Sequence, residues 1–214
     1  MGFLNNLLFP HFCLYCWSVG CPICRNCLSK FEPYYLQPKL QALEIDKTIS
    51  LYHYNNQASF LLKKAKYRFN KRVLKYFLEN VDLQILEQTR LVFKKLTNPI
   101  LLFVPMIKED ERTRGYNQAE LLANFLAKHF NFKVEKYLYK SKKTKRQSML
   151  VGKSKRWQNV KNVYGIKSNK INQNQDIIVV DDVITSGATI VTIAKLLKTQ
   201  TNGKVIVWSL FKSY

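Results

Sequence analysis

The hydrophobic pattern of the first half of the chain is mainly helical. An alternating run at residues 48–54 predicts one strand, and apolar residues at helical spacing predict helices over residues 58–78 and about 81–96. All five cysteines and four of the six prolines lie in the region before them, and the prolines interrupt regular structure there. We therefore expect a cysteine-rich segment at residues 1–30, followed by a connector and a small hood at residues 31–98.

The pattern after residue 99 alternates between buried strands and amphipathic helices. Short continuous apolar runs predict strands at residues 100–105, 176–182 and 204–211, and a weaker run predicts another at 132–138. Helices are predicted at residues 118–129 and 187–198. Such alternation is typical of a mostly parallel, open α/β sheet flanked by helices, which we expect to form a core over residues 99–214.

The cysteines are confined to the segment from Cys13 to Cys27. Cys13-x-x-Cys16 and Cys24-x-x-Cys27 supply four thiolates at the spacing of a structural zinc site. In a reducing compartment such a cluster indicates metal binding rather than disulfides. Cys21-x-x-Cys24 is a competing pair, so spacing alone leaves the ligand set open by one residue.

An acidic pair ends the predicted strand at residues 176–182. Asp181 and Asp182 would therefore lie at the carboxyl end of a parallel strand, where open α/β sheets bind their ligands. A small, hydroxylated loop follows and leads into a helix, which is the composition of a phosphate cradle. The acids would accept hydrogen bonds from sugar hydroxyls, and the adjacent loop would bind a phosphate. The sequence therefore predicts a sugar-phosphate site. The loop residues are Thr185, Ser186, Gly187, Ala188 and Thr189.

This ordered string resembles the phosphoribosyl-pyrophosphate signature of type I phosphoribosyltransferases. The whole chain resembles the ComF family of competence-associated proteins, which includes GntX-like members. Beyond the acidic pair and the cysteines, the resemblance rests on four elements, Leu7-Leu-Phe-Pro10, Lys66-Tyr67, Arg112-x-Arg114-Gly115-Tyr116-Asn117-Gln118-Ala119, and the pair Thr144-x-x-Gln147-x-x-Leu150 with Arg156-x-x-Asn159. In the family, phenylalanine usually stands where this chain has Tyr116.

The resemblance implies a type I phosphoribosyltransferase-like fold that binds phosphoribosyl pyrophosphate with Mg²⁺, with Asp181 and Asp182 as catalytic residues. It also favours the zinc ligands Cys13, Cys16, Cys24 and Cys27. The implied enzyme is a phosphoribosyltransferase, a pentosyltransferase whose acceptor the sequence does not identify. The alternative is a non-catalytic protein on the same fold that handles single-stranded DNA or senses a ligand.

Arginine and glycine residues after the strand at 100–105 form a second candidate element. We expect Arg112, Arg114 and Gly115 in a loop beside the strand that carries Asp181. Guanidinium groups bind phosphate oxygens in a forked geometry, and glycine allows the backbone to approach a ligand. Position and resemblance together predict contact with the pyrophosphate, and a solvated arginine pair is the alternative.

The basic stretch at residues 140–161 is predicted to be a long loop. The resemblance implies a flexible lid, which would close over the site through Lys142, Lys143, Arg146 and Gln147. The same cations, with Trp157 as a stacking surface, would also suit single-stranded DNA. Solvated charge without a ligand is the third interpretation.

The charge of the chain favours polyanionic partners without identifying one. Thirty-five Lys and Arg against fourteen Asp and Glu give a net charge of +21, and residues 131–170 contain thirteen of the cations and one acid. No run reaches the ~20 apolar residues of a transmembrane helix, and no signal peptide is evident, so we expect a cytoplasmic protein. The resemblance implies a role in DNA uptake, with competence-machinery proteins as partners.

Overall fold

The computed structural model describes residues 12–34, 42–66, 71–141, 163–167 and 171–213. The helices of this part are α1 Arg25–Leu28, α2 Asn56–Ala65, α3 Lys71–Glu79, α4 Leu83–Phe93, α5 Lys108–Arg114, α6 Gln118–Phe130 and α7 Ala188–Lys198. The strands are β1 Lys47–His53, β2 Ile100–Phe103, β3 Lys133–Glu135, β4 Leu138–Lys140, β5 Tyr164–Ile166, β6 Ile177–Ile184 and β7 Val205–Lys212.

Five strands form a parallel sheet in the order β1-β7-β6-β2-β3. The remaining two, β4 and β5, pair as an antiparallel hairpin. From the central pair β2 and β6, the chain continues outward in opposite directions, to β3 on one side and to β7 on the other. The carboxyl ends of β2 and β6 therefore flank the crevice in which open α/β sheets bind ligands.

Side chains of β6 alternate between two cores on the opposite faces of the sheet. Ile178 and Val180 belong to a cluster formed with α2, α3, α4 and α6, whereas Ile177 and Val179 pack with α7. All four side chains are fully buried, as expected for a parallel strand covered on both faces. The observed architecture confirms the predicted class, a parallel α/β sheet flanked by helices.

Most predicted elements are found within a residue or two of their expected positions, with two differences. The single helix predicted over residues 58–78 corresponds to two helices, α2 and α3, and residues 67–70 between them lie outside the described part. The single strand predicted over residues 132–138 is instead divided between β3 in the main sheet and β4 in the hairpin. The division of the chain at residues 30 and 98 stays a prediction.

Candidate functional site

A cavity of about 310 Å³ opens at the carboxyl ends of β2 and β6. Its volume lies at the lower end of the range for small-molecule sites. The acidic pair lies at its base, and residues of the following loop, of α5 and of the hairpin surround it. Of the predicted ribose-phosphate residues, those that line the cavity are Arg114, Asp181, Asp182, Thr185, Gly187 and Thr189.

The acidic pair is held by backbone hydrogen bonds within β6. Asp181 Oδ1 accepts the N–H of Asp182 at 2.9 Å, and Asp182 Oδ1 accepts the N–H of Val183 at 2.8 Å. Burial raises the pKa of Asp181 well above its usual range, and the neighbouring charge of Asp182 raises it further. A ligand that offers hydroxyl donors or a cation would offset this cost, because it favours the ionised carboxylates.

The second carboxyl group is also influenced by two cations. Burial raises the pKa of Asp182, whereas its hydrogen bonds with Asp181 and Val183 and the positive charges of Arg114 and Lys66 oppose that rise. Lys66 follows the last residue of α2, so this helix brings a lysine toward the acidic pair. The site therefore combines acids at its base with cations at its walls, which suits a ligand that carries both hydroxyl and phosphate groups.

The loop after β6 turns sharply into α7. Gly187 adopts a left-handed conformation with φ of 76° as the N-cap residue, which costs glycine little strain. Ser186 Oγ accepts the N–H of Ala188 at 3.4 Å, and the carbonyl oxygen of Thr185 accepts Lys212 Nζ at 3.0 Å. Ser186 and Ala188 do not line the cavity. The first turn of α7 thus directs its N–H groups and positive end toward the site, the arrangement that binds anions.

The arginine block departs from the prediction, because Arg112 and Arg114 lie on the short helix α5 rather than in a loop. Acidic residues in the first turn of this helix stabilise its positive end. Gly115, with φ of 78°, ends the helix and donates its N–H to the Glu111 carbonyl oxygen at 2.7 Å. The helix buries no side chain, so it leaves no hydrophobic period in the sequence. Arg114 lines the cavity, whereas the exposed Arg112 and Gly115 do not.

The residues after Gly115 connect the site to its surroundings. The buried Tyr116 hydroxyl donates to the Ala65 carbonyl oxygen at the end of α2. Asn117 Nδ2 donates to the Val104 carbonyl oxygen at 3.0 Å, and its Oδ1 accepts the Ala119 N–H at 2.9 Å, which caps α6. These bonds hold α2, the end of β2 and the start of α6 in one arrangement around Arg114.

The hairpin supplies two cavity residues that the sequence did not single out. Lys140 Nζ lies 5.7 Å from the ring centre of Tyr164, and both side chains line the cavity. Burial lowers the pKa of Lys140, and burial together with the charge of Asp181 raises the pKa of Tyr164 to about 12. The position of Lys140 as the first cation of the basic stretch was the one signal that could have found it. The predicted loop residues Lys142, Lys143, Arg146 and Gln147 lie outside the described part.

Four cysteines form a separate cluster at the amino-terminal side. The Sγ atoms of Cys13, Cys16, Cys24 and Cys27 lie within 4.8 Å of one another, so together they could hold a metal ion such as zinc. In one pair, Cys16 and Cys24, the Sγ atoms are 3.5 Å apart. Cys21 is not among these four, so the structure brings together the set that the resemblance favours.

The pKa of each cysteine in the cluster depends on its burial and on the hydrogen bonds that its sulfur receives. Burial would raise the pKa of Cys13, but backbone N–H groups, first that of Cys24, bring it below its ordinary value. The hydrogen bond from Ser18 lowers the pKa of Cys16, whereas burial and the adjacent thiols raise that of Cys27 to about 12. The pKa of Cys24 is also lowered, first by its backbone hydrogen bond with Cys27, so three of the four thiols favour the thiolate form. A divalent cation would supply the charge that favours the thiolate in Cys27.

The cysteine segment is docked on the hood. Cys13, Ile23, Cys27 and Phe31 belong to the same core cluster as α2, α3 and β1. Across the contact with α2, Gln57 Nε2 donates to the Cys27 carbonyl oxygen at 2.7 Å, and the Tyr15 hydroxyl donates to the Gln57 carbonyl oxygen at 2.8 Å. A metal at the cluster would therefore stabilise the packing of the hood as well as the segment itself.

No helix in the described ranges has both the length and the apolar character that crossing a lipid bilayer requires. The longest of them, α6, has 13 residues.

Comparison with models of known protein families gives no match for this chain. Two solved structures are similar to part of this chain. Adenine phosphoribosyltransferase from Leishmania tarentolae is 15% identical with a TM-score of 0.36, covering 64% of this chain and 71% of that one. TT1426 from Thermus thermophilus is 12% identical with a TM-score of 0.29, covering 57% and 78%. At these TM-scores neither structure informs the roles of individual residues.

Curated relatives match nearly the whole chain. Competence protein F of Haemophilus influenzae is 29% identical over 198 residues, which are 90% of this chain and 85% of that protein. DNA utilization protein YhgH of Escherichia coli strain K12 is 24% identical over 191 residues, 89% of this chain and 78% of that protein. These relatives confirm the resemblance seen in the sequence: over most of its length the chain is similar to Competence protein F and to DNA utilization protein YhgH.

Proposed function

We propose that the cavity binds phosphoribosyl pyrophosphate. The observation that supports this best is that Asp181 and Asp182, the turn into α7 and the cation Arg114 surround one cavity of about 310 Å³. Each part suits a different group of that ligand. The carboxylates would accept the ribose 2′- and 3′-hydroxyls, the loop at residues 185–189 and the start of α7 would bind the 5′-phosphate, and cations opposite would bind the pyrophosphate.

Mg²⁺ fits the chemistry of this site, because hard cations prefer oxygen ligands and two partly buried carboxylates lie at its base. Bound with the ligand, it would neutralise charge on the pyrophosphate and thereby make it a better leaving group. Arg114 and Lys140 would hold the same group from the walls of the cavity. Arg112 is exposed and outside the lining, so we assign it at most a peripheral contact.

As an enzyme, the protein would transfer ribose 5-phosphate to a nitrogen nucleophile. The bond from the anomeric carbon to the pyrophosphate oxygen breaks, a bond from that carbon to the acceptor nitrogen forms, and pyrophosphate leaves. The carboxylates would hold the sugar while its ring becomes cationic, and the half-buried Lys140 and Arg114 would oppose the charge of the departing group. The acceptor is not identified by the described residues, so transfer is measured as pyrophosphate release with nitrogenous bases.

We assign the cysteine cluster to zinc. Four thiolates around one Zn²⁺ at about 2.3 Å place neighbouring sulfurs about 3.8 Å apart. In the structure all four Sγ atoms lie within 4.8 Å of one another, and those of Cys16 and Cys24 are 3.5 Å apart. The sulfur–sulfur distance expected around zinc lies between these two values. Four protein ligands leave no open position, so the metal would be structural rather than catalytic.

A second candidate function is the handling of single-stranded DNA in the cytoplasm. The net charge of +21 and the DNA-related names of the relatives favour it, and competence-machinery proteins would be its partners. The basic stretch is the first surface to test, by changing Lys142, Lys143, Lys145 and Arg146 together to Gln. Affinity for single-stranded DNA should fall, and the slope of log affinity against log salt should decrease by about 0.7 for each phosphate that the variant no longer binds.

The ribose-phosphate proposal is tested by calorimetric titration with phosphoribosyl pyrophosphate and Mg²⁺. The variant Asp181→Asn/Asp182→Asn should lose binding while it keeps its fold, because both hydroxyl acceptors lose their charge. The variant Glu79→Gln/Glu87→Gln removes two exposed acids from α3 and α4 and serves as the matched control. Unchanged affinity in the Asp181/Asp182 variant would refute the proposed site.

A further inference from the structure

Three aromatic side chains are exposed together beside the cysteine cluster. Trp17 is 75% exposed, Phe12 48% and Phe60 37%, and all three line a shallow cavity of about 550 Å³. Large aromatic residues bury much apolar surface when they can, so three of them exposed around one cavity indicate a binding surface. We call these three residues the aromatic platform.

The platform is held in place by the cysteine segment and α2. Trp17 has a φ of 63°, and its N–H donates to the Cys13 carbonyl oxygen at 3.0 Å, which closes the turn over residues 13–17 and places its ring at the end of that turn. The rings of Phe12 and Trp17 are 6.3 Å apart, and Phe60 on α2 lies 5.4 Å from the ring of Tyr15. Rings fixed in this way lose little conformational entropy when a ligand stacks on them.

The charges around the platform are positive. Lys64 Nζ lies 5.4 Å from the ring centre of Phe60, and the neighbouring Lys63 is exposed on the same helix. Neither the residues lining this cavity nor those of α2 include an aspartate or glutamate. Exposed rings provide stacking surfaces for bases, and adjacent lysines neutralise the phosphate backbone. Proteins bind single strands without sequence preference through this combination.

Helix α2 also connects the platform with the ribose-phosphate cavity. Phe60 and Lys66 are six residues apart in sequence, which corresponds to about 9 Å along a helix axis, and Lys66 acts on the pKa of Asp182. A strand stacked on the platform would therefore follow the lysines of α2 toward the mouth of the cavity.

We propose that single-stranded DNA binds here, its bases stacking on Phe12, Trp17 and Phe60 and its phosphates lying near Lys63 and Lys64. The residues that form this surface are not those of the basic stretch at residues 140–161. The choice of DNA over RNA rests on the DNA-related role proposed above. Recognition by stacking and charge predicts little dependence on base sequence.

Tryptophan fluorescence tests the proposal directly. The chain has three tryptophans, and Trp208 is fully buried, so in a Trp157→Phe background Trp17 is the one that a ligand can reach. Titration of the zinc-loaded protein with oligo(dT) should quench its emission. In the same background, Phe60→Ala should weaken binding about 5- to 150-fold, the range for removal of one ring on which a base stacks. Leu83→Ala, which truncates another side chain that is 71% exposed, should change affinity less than twofold.

Two further measurements separate this surface from the ribose-phosphate cavity. Lys64→Gln should lower the salt slope of oligo(dT) binding by about 0.7. Trp17→Ala, measured by fluorescence anisotropy of labelled oligo(dT), should weaken binding as much as Phe60→Ala does, with unchanged zinc content. Phosphoribosyl pyrophosphate binding should be unaffected in both variants, so failure of the platform and failure of the ribose-phosphate site are distinguishable.

Three results would overturn the proposal. Wild-type affinity for oligo(dT) in both Trp17→Ala and Phe60→Ala would exclude stacking at the platform. Equal quenching by a duplex of the same length would show that charge alone is responsible, because duplex bases cannot stack on protein rings. Quenching by vesicles of anionic lipid without quenching by oligo(dT) would assign the surface to a membrane instead.

Discussion

Replacing Arg114 by alanine should weaken phosphoribosyl pyrophosphate binding far more than replacing Arg112. The two arginines are one helical half-turn apart on α5, yet Arg114 lines the cavity and Arg112 is exposed outside it. Both substitutions remove one positive charge from the same exposed helix. Any difference between the two variants therefore reports position at the site rather than net charge or helix stability.

The expected magnitude follows from the interaction that Arg114 would make with the pyrophosphate. One charge-assisted hydrogen bond contributes about 1.5–3 kcal/mol, so Arg114→Ala should raise the dissociation constant about 10- to 150-fold. Arg112→Ala should change it less than twofold. Arg114 also opposes the raised pKa of Asp182, so its removal raises that pKa further. Since the carboxyl group must be ionised to accept ribose hydroxyls, binding should be lost at a higher pH in Arg114→Ala than in the wild type.

Calorimetric titration with phosphoribosyl pyrophosphate and Mg²⁺ at a series of pH values, from neutral downward, measures both effects. The account would be wrong if Arg112→Ala weakened binding as much as Arg114→Ala. It would also be wrong if the weakening in Arg114→Ala showed no shift along the pH axis, because Arg114 would then act independently of Asp182.

Three further outcomes are expected. Metal analysis should find one Zn²⁺ per chain, which Cys27→Ser loses and Cys21→Ser retains; full zinc in Cys27→Ser would contradict the ligand assignment. Tyr116→Phe should lower the free energy of unfolding by about 1 kcal/mol in denaturant titration, because the variant lacks the buried bond to the Ala65 carbonyl oxygen. Asp181→Asn should be more stable than wild type at neutral pH, since its folded pKa is raised, and that gain should disappear below the unfolded pKa of about 3.9; equal stability at all pH values would contradict it.

The sheet and the acidic pair were predictable because both leave local signals in the sequence. Ile177 to Val180 form an unbroken apolar run, which is typical of a strand buried on both faces, and the acids that follow mark its carboxyl end. The clustering of the four cysteines was also predictable, since each pair lies within one short turn. That Cys21 lies outside the cluster could not be predicted from spacing, because Cys21 and Cys24 are separated by the same interval as the other two pairs.

The walls of the cavity were harder to predict because they depend on tertiary placement. Helix α5 has no apolar stripe, so its helical form and the separation of Arg112 from Arg114 are invisible to periodicity. Lys140 and Tyr164 meet only through pairing of β4 with β5, across residues 142–162 of the chain. Tyr116 follows the arginine block directly, but its hydroxyl serves the packing of α2.

The most direct test of the central claim is a crystal of the protein soaked with phosphoribosyl pyrophosphate and Mg²⁺. The account predicts ribose hydroxyls within hydrogen-bonding distance of the Asp181 and Asp182 carboxylates. The 5′-phosphate should lie at the N–H groups of residues 185–189, and the pyrophosphate should lie on the side of Arg114 and Lys140. A ligand bound elsewhere, or one bound here with its phosphate at the acids instead of its hydroxyls, would contradict the proposed site.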